Sequence, residues 1–312
     1  MTANGLQLGF GLPVSGSWAT PDTVAHVAHR ADELGYASLW TFQRLLVPAG
    51  ADVAPVYHSV QDPLIALAYA AALTTRVRLG IGIVNVPFYA PIVLAKSLTS
   101  LDVLSGGRLD AGLGLGWSPA EFAAAGVPFE RRGARAEEAI RCLQAIWGDD
   151  PVQFDGEFFH VPAAEINPKP IQRPHPPLLL GGMADPALRR IGRVADGWIS
   201  SSREDLTRIG RVVDVIKTAA VEAGRDPDRL RFVVRGLVDL GSEQRTDAGE
   251  RRRLTGTADQ IRDDLAALAE QGITEVFFDL NFDPRVGTPG ADPHDSVRRA
   301  DQVLDTFAPA AS

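Results

Sequence analysis

Residues 77–117, VRLGIGIVNVPFYAPIVLAKSLTSLDVLSGGRLDAGLGLGW, hold one complete unit of the pattern that decides the fold. Val77 to Val86 is a short apolar run rich in β-branched residues and reads as a strand. Pro91 then opens a helix, where its missing N–H costs nothing, and Leu94, Leu98, Leu101 and Leu104 share one helical face. Ser105-Gly106-Gly107 ends that helix, and Arg108 to about Leu115 forms the next strand. Strand, helix and strand within so short a span make a parallel βαβ unit.

The same unit recurs on both sides. Upstream, Leu6 to Leu12 is a first strand, a helix runs from Thr20-Pro21 to Gly35, Ala37 to Phe42 is a second strand, and Asp62-Pro63 opens a helix to Thr74. Downstream, a helix covers Arg132 to Trp147, Pro177 to Gly181 is strand five, and Asp185-Pro186 caps the helix that follows. Strand six is Gly197 to Ser201, a polar helix reaches Ala223, and strand seven is Leu230 to Leu240. Thr257 and Gln260 form a capping box, the helix stops at Gly272, Ile273 to Leu280 is strand eight, and a last helix spans about Asp295 to Phe307. Eight such units predict an α/β chain folded as a (β/α)8 TIM barrel, which typically takes about 250 residues plus insertions. An open doubly wound sheet fits less well, because neither a G-x-G-x-x-G after the first strand nor a P-loop is present. The proline-rich stretch at about 148–176, with Phe158-Phe159, breaks the rhythm and reads as an extended insertion before strand five of a single domain over 1–312.

Composition narrows the function. With 312 residues, 45% hydrophobic and 22% charged, the chain is globular, and a formal net charge of -8 argues against a nucleic-acid surface. The single cysteine, Cys142, falls in a helix and reads as a core thiol in a reducing compartment. Met1 to Leu12 lacks the basic and apolar regions of a signal peptide, and no run is long enough for a membrane span, so a cytoplasmic protein is expected.

In a barrel, chemistry belongs at the carboxyl ends of the strands, and three of those ends carry glycines. Gly80 and Gly82 lie within strand three, ahead of Asn85, and Gly112, Gly114 and Gly116 alternate at the end of strand four before Trp117. Barrel curvature, tight packing or the close approach of a flat ligand would each account for them. In Leu180-Gly181-Gly182-Met183-Ala184-Asp185-Pro186 a glycine pair leads into a helix whose free N–H groups and dipole suit a phosphate, although a plain strand-to-helix turn reads the same way. The six histidines are scattered without a metal motif, His26 and His29 reading as solvated surface, and no G-x-S-x-G elbow is present. Tyr57 and His58, in the loop after strand two, read either as proton donors to a substrate or, as more often in such a loop, as merely exposed residues.

Taken in order, several stretches resemble the luciferase-like monooxygenase superfamily, in particular its actinobacterial branch that uses the deazaflavin coenzyme F420. The likeness lies in Gly35 to Trp40, Asp62-Pro63-Leu64, Thr74 to Gly80, Leu101 to Leu109, Gly114 to Trp117, Arg131 to Arg135, Pro168-Lys169-Pro170, Gly181-Gly182 and Ala195-Asp196-Gly197-Trp198. The resemblance implies a cofactor ring against a strand-three bulge with a cis bond at Gly82-Ile83 and Asn85 near its edge. It places Gly114, Leu115 and Gly116 along the ribityl side, and Gly181 and Gly182, with Met183 beside them, at the phosphate. It departs from the family at strand two, where many relatives carry an acidic residue followed by histidine and this chain has Gln43 and Arg44. The catalytic candidates are therefore Gln43, Arg44 and His58. Arg44 cannot act as an ordinary base; it suits an anionic ring or oxyanion, and a structural ion pair accounts for it equally well. The resemblance implies hydride transfer between F420 and a small organic substrate, in a homodimer. FMN with a monooxygenase reaction, and a catalytically idle ligand carrier, are the alternatives.

Overall fold

The computed structural model describes residues 5–309. Eight parallel strands close on themselves in chain order: β1 Gln7–Gly11, β2 Ser38–Thr41, β3 Arg78–Ile81, β4 Leu109–Gly114, β5 Leu178–Gly181, β6 Gly197–Ile199, β7 Arg231–Gly236 and β8 Glu275–Phe278. The closing contacts pair β3 with β4 and β8 with β1, so the architecture is the (β/α)8 barrel that the alternation predicts. The helices outside it are α1 Pro21–Glu33, α2 Pro63–Leu73, α3 Pro91–Leu104, α4 Pro119–Ala124, α5 Arg132–Trp147, α6 Asp185–Val194, α7 Gly210–Glu222, α8 Ala258–Glu270 and α9 Pro293–Thr306. Among the described residues, no helix is long and apolar enough to cross a membrane.

The caps work as their residue types dictate. The Thr20, Asp62 and Asp292 side chains accept first-turn N–H groups, and Thr257 with Gln260 forms the complete capping box. The structure departs from the expected elements only locally. Strand three is interrupted: after Ile81 the chain breaks at a cis Gly82–Ile83 bond and resumes as Val84–Asn85 against β4. Strand seven likewise stops at Gly236, and Asp239–Leu240 pairs with Thr255–Gly256 instead. At α6 the cap is Ala184 rather than Asp185, which turns its carboxylate to Arg211. On α3, Leu94, Leu98 and Leu101 are buried, but Leu104 is 74% exposed and Asp102 points inward in its place. Asp102 accepts from the Ile171 and Gln172 backbone and from Gln172 Nε2, tying the end of the insertion to the barrel. His26 is not free surface, since it contacts Asp301 at 2.7 Å across α1 and α9.

The insertion folds as an antiparallel hairpin of Val152–Asp155 and His160–Ala164. Glu138 of α5 holds its turn, accepting from the backbone N–H groups of Glu157, Phe158 and Phe159. Cys142 is buried, as expected.

Inside the barrel Trp40, Leu179, Ile199, Val233 and Phe277 form a closed apolar layer. Gly80 is glycine because the Trp40 ring lies where its Cβ would be, at 2.3 Å. Below that layer, the amino ends are plugged by charge. Arg231 joins Asp110 (2.6 Å) to Glu275 (2.9 Å), Arg78 adds a second donor to Asp110, and the Trp40 indole donates to Glu275. A desolvated carboxylate persists there because two guanidinium groups neutralise it. With one end sealed by ions and the middle by rings, a ligand can enter only at the carboxyl ends.

Candidate active site

At the carboxyl ends the interrupted third strand shapes the cavity. Ile83, set by the cis bond, turns its side chain into the barrel mouth. A Cβ on Gly114 would fall 2.3 Å from Ile83 Cδ1, and one on Gly112 would collide with the Ile81 carbonyl. The bare face of β4 is therefore filled largely by Ile83 itself rather than left open for a ring. Gly116 has a different reason: its φ of 74° lies in the left-handed region, beside Asn85 and Phe122.

Strand five behaves otherwise. A Cβ on Gly181 would meet only ordinary contacts, Ile83 Cγ2 at 3.7 Å and Ile199 O at 3.9 Å, so packing does not require glycine there. Gly182 does need to be small, because α6 approaches through Ala187 at 2.9 Å. The Gly182 carbonyl accepts from the Trp198 indole at 2.8 Å, which fixes the turn into α6.

Strand two supplies two polar side chains that are already committed. Gln43 accepts from the Asn85 backbone (2.9 Å) and donates to the Tyr89 hydroxyl (2.6 Å), so it positions the bulge. Arg44 donates to Glu121 at 3.0 Å, and Glu121 also accepts from Leu45 N at 2.7 Å. The Arg44 guanidinium is sandwiched between the Tyr57 and Trp117 rings, 4.4 and 4.5 Å from their centroids, and its Nε has no hydrogen-bond partner.

Arg235, near the carboxyl end of β7, is a site residue that the sequence reading missed. Its side chain is 6% exposed, donates across the barrel to the Gly82 carbonyl, and lies 3.5 Å from Asp279. The rings of Phe42, Phe277 and Phe282 surround it. Burial pulls this guanidinium below its ordinary value, with Asp279 opposing the shift. A charged residue in the apolar run Phe232-Val233-Val234-Arg235 was the available signal, because an arginine so placed must be paired or functional.

These groups converge on one cavity of about 430 Å³. It is lined by Gln43, Arg44, Gly82, Ile83 and Asn85 from one side. Gly114, Leu115, Gly116, Gly181, Gly182 and Met183 line the other. Tyr57, Phe42, Phe282, Trp117, Glu121, Arg235 and Ser200 to Ser202, with Ala187 and Ile199, complete the wall. His58 is the exception: it ends a short 3-10 turn, is exposed, and does not line the cavity. The turn directs Tyr57 inward, against Phe42 and Phe282, and leaves the neighbouring imidazole outside. Among the described residues, no three His, Cys, Asp or Glu side chains cluster as a metal site.

The chain is similar to known proteins in sequence and in fold. Residues 7–246 match the family model described as luciferase-like monooxygenase. An uncharacterized protein of Mycobacterium tuberculosis is 34% identical over 69% of this chain and 76% of its own length. The FMNH(2)-dependent dimethylsulfone monooxygenase of Pseudomonas putida is 35% identical over 44% of this chain and 38% of its own. Among solved structures, an F420-dependent secondary alcohol dehydrogenase in complex with an F420-acetone adduct superposes with a TM-score of 0.76 at 17% identity, covering 96% of this chain and 98% of that one.

Proposed function

The chain belongs to the luciferase-like monooxygenase family, and on that premise we propose that it is an oxidoreductase that moves a hydride between coenzyme F420 and a small organic substrate. The observation that carries this reading is the convergence of three strand ends on one cavity large enough for a redox ring, within the roughly 300–1,000 Å³ of ordinary ligand pockets. The residues present fit such a group. Gly181 is free of packing demands and leaves its backbone open to the cavity, and α6 begins just beyond it with no side chain capping its first turn.

When bound, the deazaflavin supplies two-electron hydride chemistry, and the protein supplies orientation and electrostatics. Ile83 and the backbone from Gly114 to Gly116 form the wall against which a ring would rest. Gly181 to Met183 would hold the phosphate through backbone amides, which needs no excess of lysine or arginine. Arg44 and Arg235, both fixed by counter-ions, place positive charge at the cavity without supplying a titrating group, which suits an anionic reduced ring. Phe42, Tyr57, Trp117 and Phe282 keep the reacting atoms from bulk water.

The similarity to an FMNH(2)-dependent enzyme favours one further reading, an oxygen-dependent monooxygenase using FMN. Side-by-side titration of the purified protein with F420 and FMN separates the two. Micromolar binding of F420 and substrate-dependent change of its absorbance without oxygen are expected. Binding of FMN alone, with turnover of reduced FMN only in oxygen, would overturn the F420 reading.

A further inference from the structure

Hydride transfer at a carbonyl or imine carbon requires a proton to move at the adjoining oxygen or nitrogen. The cavity described above offers poor candidates. Arg44 and Arg235 are guanidinium groups, Gln43 does not titrate, and Glu121 is engaged by two donors. Ser200 to Ser202 carry hydroxyls that do not titrate in the working range, which leaves Tyr57 as the competitor among the described lining residues, with Arg44 over its ring face.

A second cavity, of about 420 Å³, shares Ser201, Ser202 and Arg235 as a common wall with the first. It lies between the loop after β6 and the segment preceding Thr255. Glu204 lines it, and Glu204 Oε2 is buried without a hydrogen-bond partner. A carboxylate oxygen in that state is poorly solvated, which favours the protonated form and makes the group ready to exchange a proton with whatever enters. Burial, followed by the neighbouring Asp205, pushes the Glu204 carboxyl above its ordinary value.

The other charges facing this cavity are mostly committed. Arg251 and Arg253 both bind Asp264, Arg235 faces Asp279, and Asp205 accepts from Thr207. Glu250 and Arg252 are exposed to solvent.

We infer that Glu204 is the proton-transferring residue of this enzyme, acting on a substrate that reaches past the shared wall of Ser201, Ser202 and Arg235 into the second cavity. The inference rests on the hydride-transfer reading. In the oxidising direction the substrate C–H bond breaks and the hydride leaves with its electron pair for the deazaflavin. The O–H or N–H proton passes to the Glu204 carboxylate, the C=O or C=N bond forms, and the proton is later released to water. Reduction runs the same steps backwards, with the Glu204 carboxyl as donor. The polar wall and the position of Glu204 select an alcohol, amine or their oxidised partners rather than an unfunctionalised hydrocarbon.

The first measurement needs no turnover. Infrared difference spectra of the isolated protein, wild type against Glu204→Gln, are recorded across pH. A protonated-carboxyl band that persists above the ordinary glutamate range and is missing from the variant is expected, and its absence overturns the assignment whatever the cofactor. The second repeats the titration with saturating F420 and with FMN. A change in the band's midpoint with F420 bound is expected, and no change with F420 bound overturns the assignment, FMN serving as the comparison. With F420 and 2-propanol as probe alcohol, Glu204→Gln should lower kcat at least about tenfold and remove the rise of rate with pH, with partial rescue by Glu204→Asp. Tyr57→Phe abolishing turnover while Glu204→Gln keeps it would assign the proton to Tyr57 instead. Failure of F420 to bind defeats the cofactor reading and this proposal together, and the cofactor-free band tells that failure apart from a misplaced carboxyl.

Discussion

Gly114→Ala and Gly181→Ala differ by the same single methyl group yet should have opposite consequences. Neither glycine has a positive φ, so alanine is compatible with both backbones, and in each case it restricts the unfolded chain by about 0.4–1 kcal/mol in favour of folding. At position 114 the new Cβ would lie 2.3 and 2.9 Å from Ile83 Cδ1 and Cγ1. Ile83 cannot retreat easily, because it packs on the Trp40 layer, and overpacking of this kind costs about 1–3 kcal/mol. The net expectation is a loss of about 1–2 kcal/mol. At position 181 the contacts of 3.7 and 3.9 Å are ordinary, so Gly181→Ala should be as stable as the wild type or slightly more so. Its methyl group instead occupies the backbone approach proposed for the cofactor, and affinity should fall about tenfold, or 1.4 kcal/mol. Urea denaturation gives the stabilities, and titration with F420 and FMN gives the affinities. Unchanged affinity for both cofactors in Gly181→Ala would remove strand five from the cofactor wall. A fully stable Gly114→Ala would mean that Ile83 does not fill the face of β4.

Arg44→Ala should lose about 3–5 kcal/mol in urea denaturation, because it leaves Glu121 buried with a backbone donor and no cation, whereas Arg44→Lys keeps the charge but loses the two-ring stack and should fall between. Asp110 is held below the ordinary carboxylate range by Arg231 and Arg78 against the opposing effect of burial. Its stabilisation is therefore present above the unfolded value near 3.8 and is lost as pH falls through the lower folded value. Acid unfolding followed by circular dichroism should accordingly be shallower below pH 4 in Asp110→Asn, which should also be markedly less stable at neutral pH. The Cys142 thiol, buried and pushed up to about 11, should resist a thiol reagent at pH 8 in the native protein and react once guanidinium unfolds it.

The eight-unit rhythm, the break at the insertion and the helix caps other than that of α6 were legible in the chain, because each depends on neighbours within a few residues. The glycine clusters marked the strand ends that meet at the cavity. Their reasons were not legible: Gly80 answers to Trp40, Gly114 to Ile83, and only Gly181 remains unexplained by packing. The commitments of the polar residues were hidden in the same way. Arg44 meets its carboxylate 77 residues away and Arg235 its carbonyl 153 residues away. Asp102 takes the inward position expected of Leu104 because a tertiary partner, Gln172, reaches one edge of α3.

The sequence alone thus determined the succession of strands and helices and the family likeness, both of which are written in local spacing and short motifs. Only the closed barrel decided which side chains fill its mouth, which arginines are already neutralised, and that His58 faces outward while Tyr57 and Arg235 face in. Those outcomes depend on contacts between distant segments in a desolvated interior, where one methyl group or one unpaired charge changes the balance by more than any local preference.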